Sequence, residues 1–340
     1  MIPLVEVDLE AMAPKLSDGG TFSKTPLVQR VDPLFGHSCR VVAGAKLQPE
    51  QSPNLEEITN RKGFCPFCAD TIDSATFPFP TEMIPGGRIS KGACRVVPNI
   101  LAYSTYSAVG IYDPGRHFLS LGDFTFEILN DALSAMVEHG RLVRNYDDRL
   151  SYSSINANYL PSSGSSLIHP HLQSSHDFVP LGSQRRMAQV FDQYFEEYRS
   201  GYLDDLVRQE RGGPRWVGSI GSVDYLVPFA PSGFHEVWGV VNGATDVVDL
   251  AQDQIAALAH GIEKILSVYE AKHLSAFNYS LQGLPQGEGG NGAKILYRIT
   301  TRSSVEAYYR SDITYFERLC AEPMIDYSPE VWASELSVAF

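Results

Sequence analysis

The 340-residue sequence predicts an α+β fold: two tandem copies of one unit, each an antiparallel sheet with a long helix, joined by a helical linker. Three observations predict it. Segments rich in β-branched and aromatic residues alternate with stretches whose apolar residues recur at helical spacing. The order hairpin, helix, strand, glycine-rich loop, strand occurs twice, with Pro228 following Pro98 by 130 residues and Pro285 following Pro161 by 124. The composition, 44% hydrophobic and 20% charged, supports a core of that size.

Residues 1–60 mix turn residues (Gly19-Gly20, Pro33, Gly36, Pro49, Pro53) with short apolar runs and read as an irregular arm. The first unit spans 61–180. It opens on Phe64-Cys65-Pro66-Phe67-Cys68, whose two thiols suit one tetrahedral ion that would need two further N or S ligands. A redox pair is the competing chemistry, although no strand-helix pattern follows directly, and two buried cysteines are the plain structural alternative. Cys39, Cys94 and Cys320 show no disulfide spacing, and an odd count of five suits a reducing compartment. Cys94 to Tyr112 reads as two antiparallel strands, with Asn99 after Pro98 either a turn residue or a binding group. After Asp123, a good N-cap, Phe124 to Asn145 places Phe126, Leu129, Leu133, Met136 and Val137 on one face of a helix. Tyr152 to Ala157 is a third strand, and the segment through His169-Pro170-His171 returns as a fourth.

The linker, 181–215, carries Met187, Val190, Phe191, Tyr194, Phe195 and Tyr198 at helical spacing and ends before Gly212-Gly213-Pro214. The second unit, 216–310, repeats the order: a hairpin through Val237-Trp-Gly-Val-Val241, a helix from about Ala251 to Ala271, and a strand from Ala276 to Pro285. Its return strand, Ala293 to Arg302, has no His-x-His. Lys294, Arg298 and Arg302 alternate onto one strand face, either as phosphate ligands or as a solvated surface. Residues 311–340 read as a C-terminal tail.

Chemistry concentrates in Asn156 to Gln173. On an extended backbone His169 and His171 point the same way, and Asn158, the Gly164-Ser165-Ser166 turn and Gln173 can surround them with amide and hydroxyl groups suited to a charged, oxygen-rich ligand. The competing reading is a surface loop with solvated histidines. His176 and Asp177 beyond it face opposite ways as neighbours in a strand, so they form no dyad and read as surface.

Asn158, Gly164, Ser166, His169-Pro170-His171 and Gln173, in that order, resemble the active-site signature of galactose-1-phosphate uridylyltransferases in the histidine-triad superfamily, with similarity over about residues 30–310. The resemblance implies two tandem histidine-triad-like units. It implies one Zn²⁺ per chain on Cys65, Cys68, His117 of Gly115-Arg116-His117, and His169. His171 would attack the α-phosphorus of a nucleoside diphosphate sugar, with Gln173 and Ser166 donating to the phosphoryl oxygens. Asn99, Asn158, Gly164 and Ser165 would bind the nucleotide. Gln282, Lys294 and Leu296 stand where many relatives hold a second metal, so none is expected. Asp32-Pro33-Leu34-x-Gly36 resembles the family's opening motif, but the basic residues that follow it there are replaced by Val42 to Gln48, with Lys46 the one cation. Lys294 and Arg298 are the candidates to compensate at the phosphates.

The implied function is nucleotidyl transfer between a nucleotide sugar and a phosphorylated small molecule through a covalent nucleotidyl-His171, in a homodimer. The alternatives are a nucleotide-sugar or dinucleoside polyphosphate phosphorylase or hydrolase, or a non-catalytic nucleotide-binding paralogue. A net charge of −13 argues against a nucleic-acid partner. With no basic leader before an apolar run and no bilayer-length apolar stretch, the expected location is cytoplasmic, without a membrane partner.

Overall fold

The computed structural model describes residues 1–15, 20–42, 55, 59, 63–305 and 311–340. The described part of the N-terminal arm is strand-rich, not irregular. β1 (Val5–Lys15) and β2 (Thr21–Val31) form an antiparallel hairpin in register from Val5 opposite Val31 to Lys15 opposite Thr21, and β3 (Ser38–Val41) pairs with β2. Val5-Glu-Val-Asp-Leu-Glu alternates apolar and charged residues with the period of a strand, and that pattern outweighs the turn residues around it. The stretch 43–48, with Lys46, lies outside the described residues.

The first unit contains the single-turn helix α1 (Ile72–Ala75), β4 (Ile89–Lys91), β5 (Cys94–Pro98), β6 (Tyr106–Ile111), α2 (Phe126–Tyr146), β7 (Tyr152–Tyr159) and β8 (His171–Asp177). α2 starts two residues later than Asp123 suggests. Thr125 takes the N-cap position, while Asp123 accepts the Ser120 N–H and hydroxyl, both at 2.7 Å, and pairs with Arg116 at 2.5 Å. The linker is two helices, α3 (Gly182–Tyr198) and α4 (Tyr202–Glu210), broken where Arg199 adopts φ 54 ahead of Gly201. The second unit follows as β9 (Trp216–Ile220), β10 (Val223–Leu226), β11 (Val237–Val241), α5 (Gln252–Ala271), β12 (Ala276–Gln282) and β13 (Ile295–Arg302).

The C-terminal residues form α6 (Tyr315–Cys320), β14 (Met324–Ile325) and α7 (Pro329–Ser337), and they are integral to the fold where a tail was expected. β14 pairs parallel to β3, completing a four-stranded sheet with the N-terminal hairpin. Trp332 of α7 is 1% exposed in the main core, and Glu330 holds Arg30 at 2.8 Å. Apolar burial recruits the terminus, a term that no local turn signal reveals.

The two units share one sheet, in the order β4-β5-β6-β8-β7-β12-β13-β11-β10-β9. β7 and β12 are antiparallel at the junction, with Asn158 opposite Asn278 and Tyr159 opposite Phe277. α2 and α5 pack side by side on one face, so the helical residues picked out by period, Leu129, Leu133, Met136, Ile255, Leu258 and Ile262, all lie in one core. Strand alternation then sends Ser153, Ile155 and Ala157 of β7 and Leu172, Ser174 and His176 of β8 toward the helices, leaving Asn156, Asn158, His171 and Gln173 on the opposite face.

His176 is therefore not at the surface. It is 2% exposed, with Nδ1 2.9 Å from Ser153 Oγ and Nε2 3.3 Å from Nδ1 of His139 in α2. Asp177, on the outer face, accepts from the Thr105 N–H and hydroxyl at 3.0 and 2.6 Å. Burial pushes His176 down to about 4 and His139 well below the usual imidazole value of 6.5. Unfolded imidazoles take up protons that these two refuse, so stability is full above the unfolded value and is lost as pH falls below it. We expect the unfolding free energy to drop between pH 6.5 and about 4, with His176 alone contributing on the order of 3 kcal/mol. Urea unfolding across this range measures the drop, and His176→Gln should flatten it.

Candidate active site and metal centre

Cys65 and Cys68 sit in a tight turn leading into α1. Thr71 Oγ1 donates to the carbonyls of Cys65 (2.5 Å) and Cys68 (3.0 Å), and the Ile72 N–H returns to Cys68 at 2.8 Å. His117 and His169 come to the same point. Cys65 Sγ lies 3.5 Å from His169 Nδ1, and Cys68 Sγ lies 3.6 Å from His169 Nδ1 and 3.3 Å from His117 Nδ1. The four donor atoms all fall within 4.8 Å of one another. A tetrahedral ion with bonds of about 2.3 Å to sulfur and 2.0 Å to nitrogen separates those atoms by about 3.5 Å, so the donor set fits a four-coordinate metal. His169 Nε2 is 3.0 Å from the Asp113 carbonyl, the outer-shell partner that leaves Nδ1 free for the ion.

His171 begins β8 two residues on. Its Nδ1 donates to the carbonyl of His169 at 2.9 Å, and Nε2 has no hydrogen-bond partner among the described residues. The residue is 8% exposed, and burial lowers its pKa, only partly opposed by the hydrogen bond to His169. The imidazole is thus neutral near pH 7, with a lone pair on Nε2. Phe67, inside the Cys-Pro-Phe-Cys turn, meets both rings edge-on, at 5.3 Å from His171 and 6.1 Å from His169. The metal turn thereby buttresses the free imidazole.

Around His171 the outer sheet face is a floor of half-buried amides. Asn156 Oδ1 accepts from Ser280 Oγ at 2.6 Å, and Asn158 Oδ1 accepts from Asn278 Nδ2 at 2.6 Å. The Gln173 amide has no partner among the described residues. Leu160, buried at φ 70 and ψ 161, turns the chain out of β7, and Gly164 at φ 94 turns it back. A positive φ at leucine costs about 1–3 kcal/mol and persists only where surroundings enforce it. Here the Ser163 N–H and hydroxyl both bind the Leu160 carbonyl, at 3.0 and 2.7 Å. Ser165 donates to the Leu167 carbonyl at 2.7 Å, whereas Ser166 is exposed with no partner among the described residues.

Three further candidates, Asn99, Lys294 and Arg298, make contacts of their own. Asn99 closes the β5–β6 loop, donating to Ser107 Oγ at 3.2 Å and accepting the Leu101 N–H at 3.0 Å. Lys294 is held by Asp204 of α4 at 2.5 Å and by Asn242. Arg298 is held by Glu236 at 2.7 Å and stacks on Phe35 with its guanidinium carbon 4.3 Å from the ring centre. Both cations are thus paired with carboxylates in this structure. Two residues at the site are absent from the sequence analysis as candidates: Phe67, which meets both rings, and Asn278, which meets Asn158. The signal for the second was the Asn-Tyr pair repeated as Asn158-Tyr159 and Asn278-Tyr279.

No family model matches the sequence. An uncharacterized protein of Archaeoglobus fulgidus is 28% identical over 333 residues, 98% of each chain. Among solved structures, an ADP-glucose phosphorylase from Arabidopsis thaliana with bound ADP-glucose superposes with a TM-score of 0.72 at 15% identity, covering 92% of this chain and 98% of that one. A uridylyltransferase mutant gives 0.66 at 18% identity over the same shares. The resemblance to the uridylyltransferases thus holds at the level of the fold, with a widely diverged sequence.

The ligand geometry predicts one tightly held divalent ion per chain, measurable by elemental analysis of purified protein. Cys65→Ala should lose it and lower the melting temperature, while His171→Ala should keep it.

Proposed function

We propose that this protein is a nucleotidyltransferase that takes a nucleoside monophosphate from a nucleoside diphosphate sugar onto His171 and passes it to a phosphate acceptor. The observation that carries the proposal is the state of His171: neutral, its Nδ1 fixed by a backbone carbonyl, its Nε2 free beside unpaired amide groups. Nε2 attacks the α-phosphorus, a P–N bond forms, the bond to the bridging oxygen breaks, and the sugar 1-phosphate leaves with that electron pair. An oxygen of the acceptor then attacks the same phosphorus and expels the imidazole, restoring the starting state. Gln173, Ser166 and the free amide of Asn158 donate to the phosphoryl oxygens as charge redistributes. Gly164 and Ser165 shape the turn that presents Ser166.

The Cys65, Cys68, His117 and His169 set suits Zn²⁺, which in such a closed site would contribute folding energy and no open coordination position. His169 is structural in this scheme. Its ring would be fixed by the ion, and its carbonyl orients the nucleophile.

The test is intact-protein mass spectrometry after brief incubation with UDP-, ADP- or GDP-glucose, denatured at neutral to alkaline pH because phosphohistidine-type bonds are acid-labile. A mass gain of one nucleoside monophosphate is expected in the wild type and none in His171→Ala, whose turnover should fall by roughly three orders of magnitude or more with the fold intact. Discharge of the labelled protein by a hexose 1-phosphate, by inorganic phosphate or by water identifies the acceptor. Tight nucleotide binding without an adduct from any donor, or full activity in His171→Ala, would overturn the covalent mechanism.

A further inference from the structure

Arg302 closes β13 in the second unit, the copy without a His-x-His. Its Nε and Nη2 grip Asp312 at 2.7 and 2.8 Å, and Nη1 donates to Asn278 Oδ1 at 2.8 Å. The pair is largely buried, with side chains 14% and 10% exposed. A guanidinium has donors only, so the Asn278 oxygen must face it and the Asn278 NH₂ must face β7. There it donates to Asn158 Oδ1 at 2.6 Å and to the Ser163 carbonyl at 2.9 Å. The oxygen of Asn158 is thereby occupied, and its own NH₂ has no partner among the described residues. The register that pairs Ala157 with Leu172 sets Asn158 beside His171 on the outer face.

An amide has two nearly isosteric orientations, and its neighbours choose between them. We propose that Arg302 and Asn278 are positioning residues of the His171 site: the guanidinium polarises a chain of amides across the unit junction so that Asn158 shows the phosphoryl group N–H rather than C=O. Reversed, Asn158 would aim lone pairs at an oxyanion. The same Asn278 amide tethers Ser163 and with it the turn carrying Ser166. The second unit therefore acts in the site through the polarity of one hydrogen-bond chain. This inference rests on the nucleotidyl-transfer proposal above.

Single-turnover labelling of His171 is followed with ADP-glucose and, separately, UDP-glucose. Arg302→Leu should slow labelling by about tenfold or more, and Arg302→Lys, also a donor-only cation, should restore most of the rate. The double variant Arg302→Leu/Asn158→Ala should label no more slowly than Asn158→Ala alone, since a residue acting through Asn158 has nothing left to orient. If Arg302→Leu unfolds because Asp312 is left buried and unpaired, Arg302→Leu/Asp312→Leu carries the same comparison. Wild-type rates in the leucine variant, no rescue by lysine, or penalties that multiply in the double variant overturn the relay while leaving a labelled wild type intact. A wild type that accepts no label from either sugar overturns the transfer proposal and the relay with it.

Discussion

The antiparallel pairing of β7 with β12 is the constraint on which the rest of the molecule depends. Each unit alone would present an open strand at that edge, a row of unpaired N–H and C=O groups. Joining them seals both edges and makes one ten-stranded sheet. On the helix side the junction stacks Tyr159 on Phe277 at 5.0 Å, under the contact between α2 and α5. On the other side it aligns Asn156 with Ser280 and Asn158 with Asn278. One set of backbone hydrogen bonds thus fixes both the core and the polar floor of the site.

His169 links the Cys65, Cys68 and His117 cluster to the His171 imidazole through two parts of a single residue. Its ring points among Cys65, Cys68 and His117, and its carbonyl accepts from His171. Pro170 between them limits the backbone to a narrow range of φ. Phe67 adds a second brace from the same metal turn. A neutral imidazole can carry its proton on either nitrogen, and the carbonyl that accepts from Nδ1 fixes it there.

Features set by local period and motif were legible in the sequence. The helices α2 and α5, the duplicated strand order, the Cys-x-x-Cys turn and the His-Pro-His segment each carry their signal within a few residues. What was not legible shares a physical origin in long-range partners. Strand parity placed Lys294, Arg298 and Arg302 on one face, yet Asp204, Glu236 and Asp312, which decide what those cations do, come from other elements. The burial of His176 is not legible locally because it depends on α2 crossing beneath β8, where His139 meets it. The N-terminal hairpin does carry its signal locally, in the alternation from Val5 to Glu10, against the turn residues around it. The place of β14 beside β3 depends on chain closure over nearly the whole sequence, which no window contains.

β1 forms the outer edge of the smaller sheet, eleven residues long and mostly exposed, with no strand beyond it among the described residues. Long bare edges of this kind template aggregation, and proteins blunt them with charge. Glu6, Asp8 and Glu10 supply three carboxylates along it, and the cations that answer them, Arg30 and Lys24, come from β2 on the inner side. A short acidic fence thus lines this edge, charge of the kind that opposes edge-to-edge pairing with another chain, and acid or high salt would lower it.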